Sequence, residues 1–334
     1  MVKLSGYITT RNCVTMDYPF KESIQSLLDF CDEVVVMDSS DKAEGTIEVL
    51  SGMEKANSGK LKIYHADLDW KKPNHGIYDG VMKQAAREKC SGDFLFQLDA
   101  DEVIHQGDRQ VLEQLLVQTQ NLQQVPLLCL PVIEYWGGPD KVRVDVNPWK
   151  WRVSRNHPEI THGIPITHRK LVDGLVYAHP GTDTCDYIGK SQGLPVPNLN
   201  FCNSQSDMLR MSALKGDPAA LEGYQKWFNE MSKGLPTVYH FSWYSIKSKI
   251  YKYRDFFGDF WKAMYNDDKQ TNVFFDVPWS QVTDEMIEAK AKELRDGTGG
   301  WIFHTPWNGS RVPHVKIERP YPEIMKEWCE KHKI

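Results

Sequence analysis

The chain has no excess of basic residues: 40 Lys and Arg stand against 45 Asp and Glu in 334 residues, a formal net charge of −5. That balance provides no global field for nucleic acid, which is not expected among its partners. No window approaches eighteen apolar residues, so no membrane-spanning helix is expected. The N-terminus has a short apolar segment but neither the long h-region nor the cleavage site of a signal peptide. Seven cysteines, at 13, 31, 90, 129, 185, 202 and 329, are dispersed and odd in number, without C-x-x-C spacing. This argues against a disulfide framework and a structural zinc site. Internal repeats are absent, and a cytoplasmic enzyme is the default reading.

What is present is an alternation. Over the first 130 residues, strand patterns at 4–9, 33–37, 61–64 and 94–98 interleave with helical patterns at 18–31, 46–53 and 77–89, and a further helix follows Gly107 and Asp108. Such alternation predicts an α/β fold with a mostly parallel sheet flanked by helices. In open sheets of this kind ligands bind beyond the carboxyl ends of the strands. Three of these ends carry polar clusters: Thr9-Thr10-Arg11-Asn12, Asp38-Ser39-Ser40-Asp41 and Asp99-Ala100-Asp101-Glu102. Each alone suits a cap or turn; together they are expected on one rim.

The third cluster is the most informative. The run Phe94, Leu95, Phe96, Leu98 reads as a buried strand and ends in Asp99, Asp101 and Glu102. Carboxylates so close repel one another, and something cationic is expected beside them. Oxygen ligands at a strand end favour a hard divalent ion, Mn²⁺ or Mg²⁺. The competing explanation is an acidic turn.

Beyond residue 125 the alternation stops. Strands are expected at 125–133, 149–153 and 237–244, helices at 218–233, 245–265, 283–295 and 322–331, and a long irregular segment at 154–205. Aromatics at helical spacing in 251–265 are expected to pack on the sheet domain. Peripheral contact with the inner face of a membrane, or an oligomer contact, is the second reading for that basic, aromatic helix.

These pieces resemble family 2 glycosyltransferases of the GT-A fold, especially the branch acting on lipopolysaccharide cores. The likeness rests on the Ile-Thr-Thr-Arg-Asn strand end, on Cys-Asp-Glu-Val-Val-Val-Met-Asp-Ser-Ser at 31–40, on Gly-Asp-Phe-Leu-Phe-Gln-Leu-Asp-Ala-Asp-Glu at 92–102 and on Tyr-His-Phe-Ser-Trp-Tyr-Ser at 239–245. It covers about residues 4–250. It implies a GT-A-like catalytic domain over 1–250, with a nucleotide-sugar half at 1–125 and an acceptor half at 126–250, followed by a helical, aromatic-rich extension at 251–334.

The resemblance also implies roles. Thr9, Arg11, Asp38 and Asp99 would contact a UDP- or GDP-linked sugar donor. Asp99 and Asp101 would form a D-x-D metal motif, with Asp101 closest to the ion and Asp99 nearer the ribose and the metal's waters. His240 would be a late metal ligand or diphosphate contact; the competing explanation is a hydrogen-bonded core histidine. Arg11, Lys83, Lys247 and Lys249 are candidate cations for the diphosphate. His162 and Trp243 are expected on the acceptor side, with a glycan or lipid-linked saccharide as acceptor.

Two departures stand out. Where relatives carry Arg-Asn before the acidic strand, this chain has Gly76-Ile77-Tyr78-Asp79, and the His-Glu pair after the arginine-bearing strand is replaced by Ile160-Thr161-His162-Gly163. An inverting transfer needs a carboxylate base. The nearest substitutes are Glu159, Asp183 and Asp186, of which Asp183 is preferred because it follows the bend at Pro180-Gly181. The rival readings are a nucleotidyltransferase, against which the lack of an N-terminal glycine-rich loop speaks, and a non-catalytic carbohydrate-binding descendant.

Overall fold

The computed structural model describes residues 2–70, 78–121, 127–146, 148–157, 160, 170–172, 175–177, 198–199, 204–257, 274–298 and 312–332. The chain divides into two compact units, Met1–Leu130 with Lys150–Asn200 and Pro131–Trp149 with Phe201–Ile334. Each unit is made of two stretches of chain, whereas the ranges 1–125, 126–250 and 251–334 are linear.

The first unit contains strands β1 (Leu4–Thr10), β2 (Glu33–Asp38), β3 (Leu61–His65), β4 (Phe94–Gln97) and β5 (Glu102–Ile104), and helices α1 (Phe20–Phe30), α2 (Thr46–Ala56), α3 (Tyr78–Glu88) and α4 (Arg109–Asn121). β6 (Leu127–Glu134) and β8 (Trp149–Arg155) cross the division between the units. The sheet order in the first unit is β3-β2-β1-β4-β8. The first four strands are parallel, and β8 is antiparallel to β4. This is the expected class: α/β, with a mostly parallel sheet flanked by helices. β2, Glu-Val-Val-Val-Met-Asp, is buried at all six positions. A strand covered on both faces carries just such an unbroken apolar run.

Helices cover this sheet with the faces their sequences provide. α1 buries Phe20, Ile24, Leu27 and Leu28, one stripe of a helix of period 3.6. α3 contributes Met82 and Ala86 to a cluster with Tyr7, Val35, Met37, Cys90, Leu95 and Ile160. At the strands' amino ends Glu33 ties three segments together. Its Oε1 accepts from Ser5 Oγ at 2.6 Å and from the Ser91 N–H at 2.6 Å, and its Oε2 accepts from Lys62 Nζ at 2.8 Å. Burial pushes the Glu33 carboxyl up, but these hydrogen bonds prevail and bring it down to about 2. The short strands β9 (Lys170–Val172) and β10 (Leu175–Tyr177) pair antiparallel, and β11 (Asn198–Leu199) pairs with the start of β6.

In the second unit the end of β6 pairs in parallel with β12 (Val238–His240), setting Glu134 opposite His240. β7 (Val142–Arg143) pairs with β13 (His314–Val315). Helices α5 (Ser204–Leu214) and α6 (Pro218–Gly234) are successive, and the Asp217 side chain caps α6 by accepting from the Ala219 and Ala220 N–H groups. α7 (Ile246–Lys252) runs into a wider turn at Tyr253–Phe257; α8 (Asp284–Glu293) and α9 (Lys326–Lys331) follow. Trp136, Trp243, Ile246, Ile250, Tyr253, Phe274, Trp279 and Ile287 share one core.

Three local expectations change. The strand expected at 237–244 ends at His240, because Phe241–Tyr244 turns, with the Tyr244 N–H on the Phe241 carbonyl at 3.1 Å. The irregular segment expected to run to 205 gives way at Ser204, where α5 begins. The acidic cluster is not wholly a loop: Glu102 opens the buried strand β5.

Candidate functional site

Parallel pairing puts the carboxyl ends of β1, β2 and β4 on one edge. Thr10 lies opposite Asp38, and Tyr7 opposite Gln97, two residues before Asp99. The three polar clusters therefore leave the sheet side by side. The buried Cys13 thiol records this convergence. Burial raises it most, and Asp38, Glu44 and Asp101 all add to the rise.

Asp38 is 1% exposed, and both of its oxygens are engaged. Oδ1 accepts from Thr10 Oγ1 at 2.8 Å and from Ser40 Oγ at 2.6 Å. Oδ2 accepts from the Ser40 N–H at 3.0 Å and lies 3.0 Å from His65 Nδ1. Ser40 Oγ in turn accepts from the Asn12 N–H at 2.8 Å. Asn12 and Asp41 exchange two further hydrogen bonds at 2.8 Å, fixing Asn12 at φ 46°. Asp38 is thus the post around which the ends of β1 and β2 are built.

Thr9 is half-buried beside it. The Arg11 guanidinium stacks over the Trp70 ring at 4.2 Å, and Trp70 donates from Nε1 to Ser39 Oγ at 3.2 Å. Tyr78 meets Trp70 edge-on at 5.2 Å. Burial lowers the Arg11 pKa, and Asp41 opposes the change. Arg11 thus covers one face of the Trp70 indole. Trp70 and His65 are not singled out by sequence reasoning. The only signal was an aromatic shortly after a strand.

The acidic turn is organised by protein cations. Lys83 Nζ, on α3 and 2% exposed, lies 2.8 Å from Asp99 Oδ1 and 3.0 Å from Asp79 Oδ2. Gln97 donates from Nε2 to Asp99 Oδ1 at 2.8 Å. Arg152 NH2 is 2.5 Å from Glu102 Oε1 and 3.8 Å from Asp99 Oδ2. Glu102 Oε2 accepts the Asp99 N–H at 3.1 Å, and the Glu102 N–H donates to the Asp99 carbonyl at 2.9 Å, closing the turn. Ser23 of α1 donates to the Ala100 carbonyl at 3.1 Å. Part of the cationic partner expected for these carboxylates is therefore built into the chain. Glu102 is fully buried structure, and Asp101 remains half-buried at the turn.

The residues fit a divalent ion of one kind. Among the described residues no group of three or more His, Cys, Asp or Glu is gathered to hold a metal by itself. The turn offers oxygen ligands from Asp101 and, where its partners yield, Asp99. Mg²⁺ in particular is commonly held by one or two carboxylates plus substrate phosphates rather than by an all-protein cage.

In the second unit His240 Nδ1 lies 2.7 Å from Glu134 Oε2. A carboxylate at Nδ1 fixes the ring's orientation and, in the neutral ring, puts the acceptor lone pair on Nε2. Glu134 ends an apolar strand as Asp99 does, and that shared signal could have identified it. Trp243 is 6% exposed and stacked on Trp136 at 5.0 Å. Lys249 donates to Ser242 Oγ at 2.6 Å and Lys247 pairs with Glu288. Glu159, His162, Asp183 and Asp186 lie outside the described residues. No described helix is long and apolar enough to cross a membrane.

No family model matches the sequence, and no curated protein matches it. Among solved structures, residues 1–349 of S. aureus TarS match at 15% identity over 90% of this chain and 93% of that one, with a TM-score of 0.35. TarS in complex with UDP-GlcNAc matches at 16% identity over 78% of this chain and 81% of that chain, TM-score 0.34. Glucosyl-3-phosphoglycerate synthase from Mycobacterium tuberculosis, solved with Mn²⁺, UDP and glucosyl-3-phosphoglycerate, matches at 14% identity over 39% of this chain and 44% of that one, TM-score 0.24. Overlap this loose carries no statement about activity, which has to come from the residues of this chain.

Proposed function

We propose that the chain is a metal-dependent glycosyltransferase of GT-A type that moves a sugar from a UDP- or GDP-linked donor to a glycan or lipid-linked saccharide, with inversion. The observation that carries this reading is the shared edge of β1, β2 and β4, where Thr9–Arg11, Asp38 and the Asp99–Asp101 turn leave a parallel sheet together. That edge is where an open α/β sheet binds its ligand.

The assignment follows from charge. A sugar-nucleotide loses its sugar by building negative charge on a diphosphate. Mn²⁺ or Mg²⁺, when bound, neutralises that charge without proton transfer. Asp101 is the proposed ion contact, and Asp99, held by Lys83 and Gln97, faces the ribose and the ion's waters. Trp70, braced by Arg11 and Ser39, is the proposed platform for the base. Asp38 keeps the strand ends in register. The acceptor hydroxyl loses its proton to a carboxylate, with Asp183 proposed first and Asp186 and Glu159 as alternates. The glycan or lipid-linked acceptor, like the lipopolysaccharide-core likeness, is proposed from the motif resemblance alone.

The test is a panel of sugar-nucleotides incubated with the protein and Mn²⁺, with slow hydrolysis followed by chromatography. Cleavage of one donor, lost on chelation and in Asp101→Ala, supports the reading and names the donor. Cleavage of none, together with release of diphosphate from nucleoside triphosphates, contradicts it.

A further inference from the structure

We propose that Lys83 is a built-in competitor for the divalent ion at Asp99, so that the ion enters the acidic turn together with a nucleotide diphosphate and not ahead of it. This rests on the reading above for the ion at the Asp99–Asp101 turn and for the identity of the diphosphate. Lysine is seldom as buried as Lys83, which is 2% exposed, unless it is paired. Here it is paired to the first carboxylate of the D-x-D, 2.8 Å from Oδ1, and to Asp79 one helical turn earlier.

Two further groups hold Asp99 in that state. Gln97 is fully buried and donates to the same Oδ1 at 2.8 Å. Its own Oε1 has no hydrogen-bond partner among the described residues, so the amide's known tie at this end is to Asp99. Arg152 stands 3.8 Å from Oδ2. Both carboxylate oxygens therefore face protein cations. A bare divalent ion arriving at Asp99 meets the Lys83 ammonium in a partly buried site, where like charges repel strongly, while the Arg152 guanidinium is balanced first by Glu102 at 2.5 Å. A diphosphate brings negative charge that the ion and the two cations can share. Lys83 thereby sets the order of loading, and the turn stays closed to free metal.

The affinity for free Mn²⁺, without nucleotide, tests this directly by the loss of the free-ion signal in electron paramagnetic resonance. Lys83→Met is expected to tighten the Kd by about tenfold or more, because it removes one charge next to Asp99. Lys83→Arg should remain as weak as the parent, and Asp99→Asn added to Lys83→Met should abolish the gain. If Lys83→Met fails to fold, Lys83→Gln carries the same expectation. An unchanged or weaker Kd in the folded variant overturns the proposal and leaves Lys83 a structural ion pair. The two readings fail separately. A protein that binds Mn²⁺ with UDP or GDP but gains nothing in Lys83→Met refutes only the competition. One that gains free-metal affinity but binds no nucleotide refutes the transferase and the order of loading, and upholds only the competition of Lys83 with the ion.

Discussion

Arg152 and Glu102 form a fully buried ion pair, with NH2 2.5 Å from Oε1, while the other Glu102 oxygen accepts the Asp99 N–H. The geometry of the acidic turn is thus fixed from below by a cation fifty residues away in sequence. Removing one member of a buried pair leaves the other charge uncompensated, at a cost of about 3–5 kcal/mol. Arg152→Met should lower the free energy of unfolding read from urea titrations by that amount, and adding Glu102→Gln should recover much of the loss. A single variant as stable as the parent would show that the pair is not holding the turn.

Glu33 predicts the acid limb of stability. Its ordinary pKa of 4.5 is lowered to about 2 in the folded chain by Lys62, Ser5 and Ser91, against the effect of burial. A depressed carboxyl contributes stability that is fully present above its unfolded pKa and is lost as pH falls through the folded one. The window is therefore about pH 4.5 down to about 2, and the size about 3 kcal/mol at most. Glu33→Gln should be less stable at pH 7 and show a flatter decline over that window in urea titrations. Parallel curves for parent and variant would contradict the assignment.

Gly92 sets where β4 starts. A Cβ there would lie 2.8 Å from the Ser5 nitrogen, 2.9 Å from the Lys3 carbonyl and 2.6 Å from Ser5 Oγ. Two of these are backbone atoms of the neighbouring segment and cannot swing away. Gly92→Ala should cost about 2 kcal/mol, within the range for overpacked sites. Because β4 leads into Asp99, nucleotide affinity should fall with it. Thermal denaturation and a nucleotide titration of the same sample check both.

The sequence made the polar edge of β1, β2 and β4 legible because each strand there passes abruptly from apolar to polar, as at Phe94–Gln97 into Asp99. The same reasoning missed how the cluster is divided. Nothing in Asp-Ala-Asp-Glu says that Glu102 opens a buried strand, since its partner Arg152 comes from β8. Lys83 is among the candidate cations for the diphosphate, but nothing in its helix tells that α3 packs on the sheet and brings its tip to Asp99. Trp243 shows the converse limit. An aromatic beside a candidate histidine has the same signature in a binding site and in a core, and its stacking on Trp136 is invisible in the sequence. Glu134 carried a readable signal as the carboxylate that closes an apolar strand, but its meaning depended on the register with His240.

The most direct measurement is the thermal stability of the parent and of Asp101→Ala with UDP and GDP, each with and without Mn²⁺. Ligand at a hundred times its Kd stabilises by about 2.7 kcal/mol, enough to read as a raised Tm. The account predicts a rise with one of the nucleotides that requires Mn²⁺ and disappears in Asp101→Ala. No rise with either nucleotide, or a rise that neither chelation nor Asp101→Ala diminishes, would contradict it.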